Sequence, residues 1–249
     1  MRPILLAAAG LAAVVAVALP AGANNSWNGY HWARTSNPFT PKVIDSMTPG
    51  WDGYLDVAES DWAQSSVLDL AEEAGSDSAA DRQSCHPAAG KIRACNYAFG
   101  KNGWLGRAQI WLLGSHITQG TAKVNDSYFD TPTYNNANAK QHVICQEVAH
   151  TFGLDHQRSK RAKSCMNDFF GLFDPAYAHP NQHDFDQLVS IYSHLDSSST
   201  VAALAAAAAP RGDLRVERVE RPDESIVVEY LAGGVKRVTF IFWAPSGSR

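Results

Sequence analysis

Apolar residues fall into three kinds of spacing along the chain, and each kind predicts a different element. Near the start they form one block. Arg2 is followed by the run Ile4 to Leu19, then by Pro20 and Ala21-Gly22-Ala23. A basic residue, an apolar block and small residues after it predict a secretory signal peptide cut after Ala23. A membrane span needs about 20 apolar residues, and this block is shorter. Elsewhere the spacing is helical. Leu55 to Ala74 carries Val57, Trp62, Val67, Leu68, Leu70 and Ala71 at helical intervals. Asp184 to Leu195 lines Phe185, Leu188, Val189, Ile191, Tyr192 and Leu195 along one face, and a further helix is predicted over Ala139 to Phe152. The third kind is extended. Lys42 to Ser46, Ile92 to Phe99, Trp104 to Leu113 and Ser115 to Val124 read as strands, punctuated by Gly114 and Gly120. Ser225 to Leu231 and Val235 to Trp243 are β-branched and aromatic and are joined across Ala232-Gly233-Gly234, which predicts a β-hairpin. Gly75 to Ser84 and Asn125 to Ala139 are polar and read as loops. Mixed strands and helices in this order imply an α+β or α/β layered domain, and α+β is the expected class.

These elements divide into a leader (1–23), a main domain (24–196), a Ser- and Ala-rich linker (197–210) and a C-terminal hairpin segment (211–249). Two strands alone are marginally stable, so the hairpin is expected to dock on the main domain or on a partner. The Arg211-Gly212-Asp213 triplet beside the linker reads as a chance triplet. Removing the leader leaves 226 of the 249 residues, enough for one sizeable core with an appendage. Charged residues make up 18% of the chain and the formal net charge is -4, with no long run of one sign, which argues against a nucleic-acid partner. No other segment is apolar and long enough to span a bilayer, so the expected product is a soluble, exported monomer. Four cysteines in an exported chain are expected to be bridged. Three connectivities are open. Cys85–Cys95, across a loop with Pro87 and Gly90, and Cys145–Cys165 are favoured over Cys145 as a thiolate ligand or nucleophile.

Candidate chemistry concentrates in Gln146-Glu147-x-x-His150-x-x-Gly153-x-x-His156. This is one residue short of the zinc-protease pattern H-E-x-x-H-x-x-G-x-x-H, because Gln146 stands at the first histidine. Residues four apart on a helix share a face, so Gln146 and His150 can grip one ion while Glu147 projects beside it as a base. His156 would point about 240° away from His150 in an unbroken helix. Gly153 supplies the break, since glycine takes the left-handed conformation that ends helices. Downstream, Ser164-Cys165-Met166-Asn167-Asp168 precedes the last helix of the main domain. Over Lys42 to Asp196 the chain resembles the metzincin clan of zinc endopeptidases, which includes matrixins, adamalysins and astacins. Glu147, His150, Gly153, His156 and Met166 carry the likeness. The resemblance implies a twisted mixed sheet packed on helices and a motif helix forming the cleft floor. It also implies Met166 as an apolar base beneath one zinc ion, and a protein or peptide substrate paired with an edge strand. That strand is sought within Trp104 to Val124.

Gln146 departs from the clan's pattern. An amide oxygen is a weaker donor to zinc than imidazole nitrogen. Two readings stay open: a secreted endopeptidase with metal on Gln146, His150 and His156 and Glu147 as general base, or a catalytically impaired protein-binding module of the same fold. His142 cannot substitute for the missing ligand, being about 12 Å along the helix from His150. His86, His116, His179 and His183 are read as surface or hydrogen-bonded histidines. Asp126 and Asp130 share a loop, but two acidic residues make no calcium signature.

Overall fold

The computed structural model describes residues 25–159, 161–167, 171–202, 213–221 and 224–245. The expected leader, most of the linker, Arg211, Gly212 and Asp168 lie outside the described residues. Among these residues the chain is a mixed α+β structure with five α-helices and nine strands in one sheet. No described helix is long and apolar enough to cross a membrane.

The strands run β1 (His31–Trp32), β2 (Lys42–Ser46), β3 (Ala71–Ala74), β4 (Lys91–Tyr97), β5 (Trp104–Leu113), β6 (His116–Asn125), β7 (Asp213–Glu220), β8 (Glu224–Leu231) and β9 (Val235–Trp243). Their order in the sheet is β3-β2-β4-β6-β5-β9-β8-β7, and β1 pairs with β6. The β3-β2-β4-β6 half is parallel, whereas β5, β9, β8 and β7 alternate in direction. Parallel neighbours need long crossovers, and helix α1 (Pro49–Trp62) supplies the one from β2 to β3. Pro49 sits in the first turn of α1, where its missing N–H costs no helical bond. Trp51, Leu55, Ala58 and Trp62 then bury one stripe. Trp62 donates its indole N–H to the Cys145 carbonyl at 3.0 Å, tying α1 to α4 (Ala137–His150). Asn136 caps α4 by accepting from the Asn138 and Ala139 backbone N–H groups. From Gln141 to His150 every residue of α4 is buried, because the helix lies between α1 and the sheet. The remaining helices are the short α2 (Ala79–Ser84) and α3 (Asp126–Phe129), and α5 (Gln182–Ile191), which opens with a capping box of Asn181 and Asp184.

Three expectations need correction. The helix predicted over Leu55 to Ala74 starts earlier and stops at Trp62, and Ala71–Ala74 is the edge strand β3. Val67 and Leu68 lie beyond the end of the helix and pack inward from a loop, where the Val67 carbonyl accepts from the Phe39 N–H. Two polar stretches contain short helices, α2 and α3, in place of pure loop. The C-terminal hairpin gains a third strand, β7, and joins the main sheet through β9, which pairs with β5 from Trp104 to Leu113. Ile226, Val228, Val238, Phe240 and Phe242 belong to the same apolar core as Trp62 and Ile144. The strands are stabilised by that shared burial, which an isolated hairpin lacks.

The inner face of α1 carries one acidic residue. Glu59 is 8% exposed. Burial first, and then the charges of Glu72, Asp56 and Asp45, push its carboxyl up to about 8. Between about pH 4.5 and 8 the folded chain therefore keeps a proton that the unfolded chain releases, so stability falls as pH rises through that window. One such group contributes a slope of at most about 1.4 kcal/mol per pH unit. Urea unfolding at pH 5, 6, 7 and 8 should show a shallower decline for Glu59→Gln than for the wild type. Equal slopes would refute the assignment.

Candidate functional site

The site is built where α4 ends. Its last residue, His150, is followed by Thr151 and Phe152 in a turn, and Gly153 takes φ +99°. A Cβ at Gly153 would stand 2.0 Å from the Tyr30 carbonyl oxygen, so both the backbone conformation and the close approach require glycine. The chain turns back, and His156 returns to His150 with Nε2 to Nε2 at 2.6 Å. The break expected at Gly153 is thus present and brings the two imidazoles together.

Hydrogen bonding assigns the ring nitrogens. His150 Nδ1 lies 2.8 Å from the Leu154 carbonyl oxygen, which only accepts, so Nδ1 carries the proton. Burial first, and then the neighbouring His156, hold His150 well below the ordinary histidine range, so the ring is neutral with its lone pair on Nε2. His156 Nδ1 faces Glu224 Oε2 in a short contact, which likewise places its proton on Nδ1. A neutral His156 would then point a second lone pair at the first. Such a pair needs a proton or a metal cation between its nitrogens.

Glu224, at the start of β8, has no counterpart in the sequence reading. Nothing in its spacing from the motif announces it, since it lies 68 positions from His156. It is 1% exposed and also accepts from Arg158 Nη2 at 2.8 Å and from Arg221. Arg158 in turn grips Asp155 with both terminal nitrogens, at 2.9 and 3.0 Å. Burial works to raise Asp155, but Arg158 and His156 together hold its carboxyl below the usual range. Asp155, His156 and Glu224 converge closely enough to hold an ion. The Arg158 guanidinium already supplies the cation there.

Gln146 and Glu147 are both fully buried on α4. Gln146 shares a face with His150, one turn earlier. Glu147 projects against β5: a Cβ at Gly106 would sit 2.2 Å from Glu147 Oε1 and 2.7 Å from Val143, so only glycine leaves room for the carboxylate. Its charge acts on Arg107, which burial and Arg237 push down and Glu147 pulls back up. Met166 is fully buried in the turn after the site, and its carbonyl accepts from the Gln157 N–H at 2.6 Å. Ser164 in the same turn donates to Asp184 Oδ2 at 2.5 Å, linking it to α5. The sulfurs of Cys145 and Cys165 are 2.01 Å apart, so the favoured pairing ties α4 to this turn; Cys85 and Cys95 are 2.05 Å apart.

The C-terminal strands roof the site. Phe240 stacks flat on His150, ring centres 4.2 Å apart and planes 3° from parallel, and Phe242 stacks on His142 at 5.7 Å. His142 is thereby held away from the pair, as its spacing requires. Because β9 takes the hydrogen-bonding edge of β5, the expected edge strand within Trp104 to Val124 is not an edge. A groove of about 960 Å³ opens beside His156, lined by Arg158, Arg161, Lys163 and His183 among others. Of the remaining histidines, His179 bonds Asp61 at 2.6 Å, His86 is exposed, and His116 contacts Asp196 at 3.2 Å. Asp126 accepts from Trp51 and Asn96, and this arrangement adds nothing to the case for calcium.

No protein-family model matches this chain, and no curated protein matches it in sequence.

Replacing Glu224 with alanine would strip His156, Arg158 and Arg221 of their shared carboxylate. Removing one partner of such a buried set costs about 3 kcal/mol, which chemical denaturation should register. A loss under about 1 kcal/mol would mean that the network contributes little to holding β8 on the site.

Proposed function

We propose that this chain is a secreted, zinc-dependent endopeptidase of metzincin type, in which Gln146, His150 and His156 hold the metal and Glu147 is the general base. The observation that carries the proposal is the His150–His156 pair. Two Nε2 atoms meet at 2.6 Å, with one Nδ1 proton committed to a carbonyl and the other to a carboxylate. Histidine ligands backed by such partners are the usual second layer of a zinc site. The donor set therefore fits a divalent transition ion, with two imidazoles strong and the Gln146 amide oxygen weak.

Bound zinc supplies Lewis acidity at neutral pH. The chain's own residues do the rest. Glu147 takes a proton from the water that adds to the scissile carbonyl carbon, then passes it to the leaving amine as the C–N bond breaks. Glu224 holds His156 in one tautomer through Nδ1. Phe240 gives the pair an apolar face. Peptide reaches the site through the groove beside His156. Export is supported by the leader and the two disulfides.

A second reading, a protein-binding module impaired at Gln146, is favoured by one feature: β9 and Phe240 cover the strand and the ring that a substrate would use.

Two experiments separate these readings. Metal-loaded wild-type protein should cleave an unfolded polypeptide, and Glu147→Ala should lower the rate at least about 100-fold. Equal rates would assign the activity to a contaminant and leave the binding-module reading. Gln146→His should tighten zinc binding about 10-fold or more in a chelator competition, because an imidazole replaces an amide in the donor set. An unchanged affinity would put position 146 outside it.

A further inference from the structure

A second cluster of side chains, away from His150 and His156, has the composition and geometry of a cation site. Three histidines converge on one carboxylate oxygen. The Nε2 atoms of His116, His31 and His194 lie 3.2, 3.6 and 3.8 Å from Asp196 Oδ1. His31 and His194 also bring their Nε2 atoms within 3.2 Å of each other. The ligand atoms of His31, His194 and Asp196 all fall within 4.8 Å of one another. The four residues come from three regions of the chain. His31 opens β1, His116 opens β6 in direct register with it, and His194 and Asp196 follow α5.

The surroundings aim the donor atoms inward. His31 is buried, and its Nδ1 lies 2.7 Å from the Gly29 carbonyl, so the neutral ring turns its Nε2 lone pair toward the cluster. Arg34 takes the other oxygen of Asp196, Oδ2, through its backbone N–H at 3.1 Å and Nη1 at 3.0 Å. Oδ1 is left facing the three rings. Arg34 Nη2 also donates to the His194 carbonyl, which fixes the segment that carries two of the donors. Ligands oriented by backbone carbonyls and by partners on the far carboxylate oxygen are the second layer that metal sites require. His116 and His194 are partly exposed, which gives an ion a path from solvent. Arg34 offsets much of the Asp196 charge, so affinity rests on imidazole nitrogen. That disfavours calcium and magnesium, which take oxygen ligands.

We propose that His31, His194 and Asp196, joined by His116 through the shared oxygen, bind a divalent transition-metal ion, zinc fitting the three-imidazole, one-carboxylate donor set best. The ion staples the first strand to β6 and to the segment leaving α5. It is independent of the endopeptidase proposal, because it shares no residue with that site.

The test uses the full chain, with zinc as the probe. Zinc content after equilibrium dialysis and the zinc-induced rise in melting temperature are compared for wild type, a His116→Ala/His194→Ala double variant and His150→Ala. The double variant should lose one zinc equivalent relative to wild type and most of the rise in melting temperature, with an unchanged far-ultraviolet circular dichroism spectrum. His150→Ala should keep that equivalent. Equal zinc content and an equal temperature rise in the double variant would overturn the proposal, as would a His150→Ala protein that binds no zinc. Should the double variant fail to fold, His194→Gln decides: zinc affinity at least about 10-fold weaker supports the site, and unchanged affinity overturns it.

Discussion

A helix covered on every side must have its polar groups satisfied by its neighbours, and α4 carries Gln141, His142, Gln146, Glu147 and His150 into the interior. That constraint shapes the structure around it. β5 approaches closely enough at Gly106 that a side chain there would strike Glu147. The chain reverses at Gly153 to bring His156 onto His150, and it passes so near Tyr30 that no larger residue fits. The Cys145–Cys165 bridge and the Trp62 indole fix the helix from its other side. The C-terminal strands complete the enclosure, laying Phe240 and Phe242 over rings that would otherwise face water.

What could be read from the residues follows from how local its cause was. The break at Gly153, the meeting of His150 with His156 and the exclusion of His142 depend on helix geometry over a few residues, and the spacing alone conveyed them. Strands β2, β4, β5, β6, β8 and β9 were legible because alternation and β-branching are local too. The start and end of α1 were not. Val67, Leu68, Leu70 and Ala71 are spaced three and four apart among themselves, and only tertiary packing makes this stretch a loop leading into β3.

Long-range features were beyond reach for a different reason. Glu224 matters through a contact 68 positions away. His31, His116 and His194 are far apart in sequence, and their convergence on Asp196 depends on β1 pairing with β6 and on where the chain goes after α5. The same holds for β5. Its pattern announced a strand, but whether that strand is an edge depends on β9, more than a hundred residues later.

The wide separation in sequence between the motif helix and strands β8 and β9 also sets an order of events. A polypeptide is made from its N-terminus, and domains tend to fold as their residues emerge. Helix α4, the Gly153 turn and both cysteine pairs can form while β8 and β9 are still being made. His156 then has no carboxylate behind it and His150 no ring above it. Closing contacts over so long a separation is also the slow part of folding. The two histidines therefore stand uncovered until β8 and β9 dock, and the site reaches its enclosed form only with those strands in place.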